Sequence, residues 1–291
     1  MSDFQLAVTL SLAAAVMFGT GAQFTRMGLR SLKAQDGALI TIVTATSLYW
    51  LFAPWYLRAE YWQASAVWLF VIAGIFRPAI STTCAMAGTA LLGATISTTV
   101  SSTAPFFGLL LGVLVLGEVL TVELALGTGA IILGVMLLAQ RGNGVHRAQW
   151  PLWALALPLA AALIRACAHL LTKIGMEDVP SPYFAGLVSY TASLLVILAN
   201  LARRRQPIKP ILANPDTRWF VAAGVLFGAA VTALNTALQY GPLSVVAPLV
   251  SLEALVVLVL GLTVFREATI NPRVIAAVLI VVAGTVVITA R

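Results

Sequence analysis

Four ionisable residues stand inside otherwise apolar stretches: Arg77, Arg165, His169 and Glu253. Arg165 and His169 are four positions apart, so on a helix they share one face. That face must look onto water or onto other protein. A guanidinium there can grip a carboxylate through two parallel hydrogen bonds, or it can pair with Glu253 and lock two helices together. Glu253, held away from water, takes up a proton more readily than an exposed carboxylate. It could exchange protons in a working cycle or simply balance Arg165. Arg77 directly precedes Pro78, and proline kinks a helix. A kink would turn Arg77 towards an interior cavity, whereas a place near the helix end would let it snorkel to headgroups.

Neutral polar residues join them. Gln23, Asn235 and Gln239 carry groups that can bond a ligand or another helix, the latter being the commoner use. Thr95, Ser97, Thr98, Thr99, Ser101, Ser102 and Thr103 cover every face of one helix. Small hydroxyl residues let helices approach closely, but so many in succession also suit a polar cavity, with Thr99 and Ser102 as candidate lining. Phe106, Phe107 and Phe227 are candidate stacking partners for an aromatic ligand, and core packing explains each equally well.

The elements that must hold these residues are membrane helices. Of 291 residues, 60% are hydrophobic and 9% charged, against about 25% charged in soluble domains. Ten apolar runs cover 5–29, 37–57, 66–91, 94–116, 122–139, 150–171, 183–201, 219–238, 243–265 and 274–290. A bilayer core needs roughly 20 such residues per helix, so the chain reads as an all-α membrane protein of ten spans. The runs are unbroken, which excludes the alternating pattern of a β-barrel. The first run reads as a retained helix and not a signal peptide. Tyr49, Trp50, Phe52, Trp55 and Tyr56 read as an interfacial belt, as do Trp150 and Trp153. Cys84 and Cys167 lie in apolar runs and give neither a disulfide framework nor a metal spacing.

Charge sets the orientation. Loops after odd-numbered spans hold Arg26, Arg30, Lys33, Arg141, Arg147, Arg203, Arg204, Arg205, Lys209, Arg218, Arg266 and Arg273. The opposite side holds Arg58, Lys173 and Arg291. By the positive-inside rule the first group is cytoplasmic. Both termini are then expected outside, in the periplasm of a bacterium whose inner membrane holds the chain.

The halves also resemble each other. Gly93 stands 25 residues before Glu118, and Gly241 stands 26 before Glu267. Thr89-Ala90-Leu91 precedes the first glycine and Thr236-Ala237-Leu238 the second. Gly134 and Gly284 follow in the next spans. Arg26 matches Lys173 at an offset of 147. Residues 1–140 thus read as one five-helix repeat, 141–149 as a linker and 150–291 as a second repeat. Five spans per half is an odd number, so the second half enters the membrane inverted, and such repeats surround a central substrate cavity near the midplane.

One stretch runs Ala104-Pro105-Phe106-Phe107-Gly108-Leu109-Leu110-Leu111-Gly112 to Leu116-Gly117-Glu118, with Gly134 beyond. Together with Phe18-Gly19-Thr20 to Arg26, it resembles the EamA-type members of the drug/metabolite transporter superfamily over nearly the whole chain. Within them the chain is similar to the YddG-type aromatic amino-acid exporters. The second half departs from the pattern, with Ala254 where proline is usual and Arg266-Glu267 for Gly-Glu. The resemblance implies export of amino acids, similar metabolites or drugs.

Three functions follow. The first is a secondary carrier exporting amino acids, aromatic ones foremost, or similar small metabolites by alternating access. The second is a multidrug or other-metabolite carrier, which the excess of cations among the four buried ionisable residues disfavours. The third, a membrane-embedded enzyme, lacks His-Glu-x-x-His, Gly-x-Ser-x-Gly and an acidic metal pair, and no phosphate-binding loop suggests a pump. The reading calls for a small-molecule substrate and membrane lipid, with no cofactor, metal or nucleic acid, and an inverted repeat in one chain suits a functional monomer.

Overall fold

The computed structural model describes residues 2–92, 94–139, 151–204, 213–264 and 272–290. Among them every regular element is a helix. α1 (Asp3–Gly28) opens on a capping box: Ser2 Oγ accepts from the Gln5 amide, and the Gln5 side chain accepts from the Ser2 amide. α2 (Ala34–Tyr56) leads through a 3-10 turn (Ala59–Gln63) into α3 (Ala66–Gly74), a π turn (Ile75–Ile80) and α4 (Ser81–Leu92). α5 (Ala94–Ser101), α6 (Ala104–Leu116) and α7 (Val122–Ala139) complete the first half. The second half holds α8 (Ala156–Asp178), α9 (Pro182–Arg204), α10 (Thr217–Tyr240), α11 (Leu243–Val250), α12 (Glu253–Thr263) and α13 (Pro272–Thr289).

Seven of these segments are long and apolar enough to cross a membrane, and three shorter apolar helices accompany them, Ala66–Arg77, Val122–Leu137 and Val274–Thr289. Leu114, Leu126, Leu133, Leu195 and Leu279 are each at least 60% exposed. Such a surface is a liability in water and the natural outer face in lipid.

Three spans that read as continuous in the sequence are each broken in two. Arg77 leaves helical geometry at φ −132°, ψ 118°, as the residue before a proline tends to. Ser193 Oγ donates to the Gly74 carbonyl at 2.7 Å and to Arg77 O at 3.4 Å, so the kink's freed carbonyls keep partners. Between α5 and α6, Thr103 Oγ1 donates to Val100 O at 2.7 Å. Between α11 and α12, Ser251 Oγ donates to Pro248 O at 2.6 Å. Hydrocarbon offers no water to an open backbone group, so each break needs such a substitute.

Two further expectations change. The sixth span does not end near Leu171; α8 runs to Asp178. Lys173 is therefore within a helix and not in a loop, and its ammonium donates to Leu238 O at 3.1 Å and to Gly241 O. Tyr49 is no interfacial anchor. It shares a buried stripe with Ala45 and Ala53 at helical spacing, and its hydroxyl donates to Gly228 O at 3.0 Å. Trp50, Phe52, Trp55 and Tyr56 remain exposed on the other faces. Gly93, Trp150, the 141–149 linker, Arg205, Lys209, Arg266-Glu267 and Arg291 lie outside the described residues.

Lipid supplies no hydrophobic drive between helices, so small residues and interhelical hydrogen bonds hold them together. Gly74 shows how close the approach is: a Cβ there would run into the backbone oxygen of Ser189. Ser189 Oγ in turn donates to Phe70 O at 3.0 Å, tying α9 to α3. The packing of each half has a counterpart in the other. α1 lies along α10, and α8 lies along α3 and α4. α1 also touches α11 and α12, as α8 touches α5 and α6; α2 packs on α10, as α9 packs on α3. All of these pairs join one half to the other, and three more join a span to its own counterpart, α2 with α9, α7 with α13 and α6 with α11. Phe18, Tyr49, Phe70, Phe184 and Leu234 anchor the main core, while Leu124, Ile131, Leu249 and Val281 fill a second one beside α7 and α13.

Candidate functional site

The kink at Arg77 sends its side chain inward, not to the headgroups. Arg77 Nη1 lies 2.8 Å from Nε2 of His169 on α8, and its guanidinium rests 5.3 Å over the Phe18 ring of α1. His169 is buried. One helix turn back on the same face, Arg165 Nη1 lies 3.9 Å from Oε1 of Glu253. Arg165 is also an electrostatic neighbour of both Arg77 and His169. The four ionisable residues singled out in the sequence thus form one cluster. Glu253 is the eleventh residue of the 21-residue Leu243–Thr263 span, and Arg165 is the tenth of the 23 in α8. Both are mid-span positions.

Two cations and one anion at such a depth weigh on the fold. Insertion costs about 2.5–3.5 kcal/mol for each, roughly 8–10 kcal/mol together, comparable to the whole stability of a domain. Arg77 answers part of this through His169 and the ring of Phe18. Arg165 and Glu253 answer less: at 3.9 Å they are too far for a direct hydrogen bond, and their side chains stay 34% and 39% exposed. A gap of that size suits a bridging polar group. Glu253 opens α12 in its first turn, where the helix dipole favours a carboxylate.

Aromatic rings wall the cluster. Phe18 and Phe227 stand 6.0 Å apart, and Tyr49 and Tyr190 stand 5.4 Å apart. Tyr49 and Tyr190 are electrostatic neighbours of Arg77. Of the rings expected to matter, Phe227 is here, whereas Phe106 is 48% exposed and packs on Phe107. Tyr190 was missed in the sequence; a hydroxyl-bearing ring mid-span was its signal.

The amides serve elsewhere. Gln23 is buried and donates to Val257 O at 2.6 Å, tying α1 to α12. Asn235 donates to Pro182 O at 3.1 Å, and Gln239 to Pro180 O at 3.2 Å. Thr99 lies on α5 and Ser102 at the break before α6, both half-buried.

A second polar centre lies at the turn between α10 and α11. Glu118 Oε1 accepts from the Leu243 amide at 2.6 Å and Oε2 from the Ser244 amide at 2.8 Å. These are free donors of the α11 N-terminus. Lys173 Nζ stands 3.7 Å from Glu118 Oε1 and holds the carbonyls at the end of α10. Gly117, at φ 67°, turns the chain so that Glu118 can reach. In the sequence Glu118 marks the close of a span, the repeat and the family-like stretch; its bonding role was not legible, because its partners come from the other half.

The sequence model of the EamA-like transporter family matches residues 5–140 and, a second time, residues 152–290. No curated protein matches the sequence. One solved crystal structure superposes with a TM-score of 0.82 over 98% of this chain and 96% of its own, at 16% identity, a likeness of fold.

Proposed function

The chain belongs to the EamA-like transporter family of the drug/metabolite transporter superfamily, and on that premise we propose that it is a secondary carrier exporting amino acids, aromatic ones foremost. The observation behind this is the mid-span meeting of Arg77, Arg165, His169 and Glu253 beside Phe18, Tyr49, Tyr190 and Phe227. A zwitterionic amino acid brings one carboxylate, one ammonium and, when aromatic, one flat ring. The guanidiniums suit the carboxylate, Glu253 suits the ammonium, and the rings suit an aromatic side chain. A site with two guanidiniums to one carboxylate repels cationic drugs, which ranks a multidrug carrier second. The outward direction rests on the resemblance to the YddG-type exporters.

Alternating access follows from reading the paired packing as an inverted repeat, residues 1–140 and 150–291 joined by 141–149. Ten spans then alternate, with both termini in the periplasm and the basic loops in the cytoplasm. Breaks in spans three, four and nine fit this, since discontinuous helices border the midplane sites of many carriers. Purified protein in liposomes tests the reading against a panel of amino acids, sugars and cationic drugs. Saturable flux of L-phenylalanine or another amino acid supports it; flux of cationic drugs alone contradicts it.

A further inference from the structure

We infer that His169 is a proton-binding site, and that a proton there and a carboxylate on Arg77 and Arg165 favour each other; this rests on the carboxylate-binding reading above. Arg77 Nη1 meets His169 Nε2 at 2.8 Å. A guanidinium has donors and no acceptor, so Nε2 must accept. The imidazole is therefore neutral in this arrangement, with its proton on Nδ1. A protonated imidazole has two donors and no acceptor, and two N–H groups cannot face each other at that distance. Protonation thus releases Arg77. Three cations, Arg77, Arg165 and His169, then face the single carboxylate of Glu253, and the cluster calls for an anion.

The converse holds equally. A substrate carboxylate that draws Arg77 away leaves Nε2 without its donor, beside a new negative charge. Both changes favour a proton on the ring. Linkage makes the two effects equal in size.

The charged surroundings of His169 leave few rivals. Arg77 and Arg165 act on it directly, while Glu253, Tyr49 and Tyr190 act on Arg77. Of the other elements packed on α8, α3, α5, α6 and α11 carry no Asp, Glu, Lys, Arg or His. α4 carries only the Cys84 thiol, and the charged residues of α9 and α10 lie at their ends. On α8 itself Cys167 is a neutral thiol and Lys173, one turn beyond His169, is held by Glu118 and two carbonyls. Glu253 is the carboxylate of the cluster and can trade a proton as well, so the experiment must see the imidazole itself.

The chain has two histidines, and His146→Gln leaves His169 as the only imidazole. In that full-length protein, labelled with ¹⁵N- and ¹³C-histidine, NMR reads the protonation state directly. L-phenylalanine is the probe, and equilibrium dialysis measures its binding separately. Without it, near neutral pH, the ring should be neutral with its proton on Nδ1. Adding L-phenylalanine at fixed pH should raise the protonated fraction. Affinity should rise about tenfold from about pH 8 to about pH 6. His169→Gln, whose side-chain oxygen can still accept from Arg77, should bind with little pH dependence. Binding that leaves the ring unchanged overturns the linkage and spares the carboxylate reading, as does a free ring protonated on Nε2. Absence of binding at every pH overturns both.

Discussion

Thr103 and Ser251, 148 positions apart, do the same work. Each hydroxyl donates to the carbonyl three residues back, at 2.7 and 2.6 Å, where a span breaks and a new helix begins. The repeat is therefore present in the bonding of the breaks as well as in the order of helices. Interhelical side-chain bonds in membranes are worth about 0.6 kcal/mol, and these local ones should be similar. Thr103→Val and Ser251→Ala are each expected to lower the melting temperature by about 1–3 °C, by similar amounts. Thermal melting in detergent checks this, and a loss at one position with none at the other contradicts their equivalence.

Glu118 and Lys173 have a structural task. The carboxylate holds two amides at the start of α11, and the ammonium holds two carbonyls around the preceding turn. The Glu118 and Lys173 side chains are 10% and 19% exposed, and breaking a buried pair costs about 3–5 kcal/mol. Their partial exposure lowers the expectation to about 2–3 kcal/mol for Glu118→Ala. Melting should fall by several degrees, while the substrate affinity of the folded fraction stays within about twofold. A variant that melts like the parent protein excludes this role.

The proposed orientation is tested from the C-terminus. A reporter that fluoresces only in the cytoplasm, fused after Arg291, should stay dark, and a phosphatase active only in the periplasm should work there. The physical reason is the excess of Lys and Arg in loops after odd-numbered spans. A bright cytoplasmic reporter reverses the orientation.

Much of this was legible in one sequence, and the rest has identifiable causes. Long apolar runs fix helices, so the segments and the two-part organisation could be read directly. The four ionisable residues within apolar runs stood out because charge there is costly. A pairing of Arg165 with Glu253 was open to reading as one alternative, whereas the contact of Arg77 with His169 was not, since the two come from separate spans. The breaks at Thr103 and Ser251 were hidden because apolarity continues through them. Lys173 read as a loop charge because its partners, the carbonyls of Leu238 and Gly241, lie 65 and 68 residues away. Tyr49 read as interfacial because its neighbours Trp50 and Phe52 are, although only Tyr49 falls on the buried stripe with Ala45 and Ala53.

The central claim is that the Arg165 face of α8 binds a substrate carboxylate, and Arg165→Ala tests it most directly. Wild type, Arg165→Ala, Glu253→Ala and the double variant are compared by melting and by uptake of L-phenylalanine into liposomes. The loose 3.9 Å contact with Glu253 predicts that Arg165→Ala melts within about 2–3 °C of wild type. Its uptake should fall at least about tenfold, as loss of a charge-assisted contact worth about 1.5–3 kcal/mol implies. The double variant should stay inactive. If Glu253→Ala instead restores stability lost in Arg165→Ala, the pair is structural. Wild-type uptake by a well-folded Arg165→Ala protein contradicts the account outright.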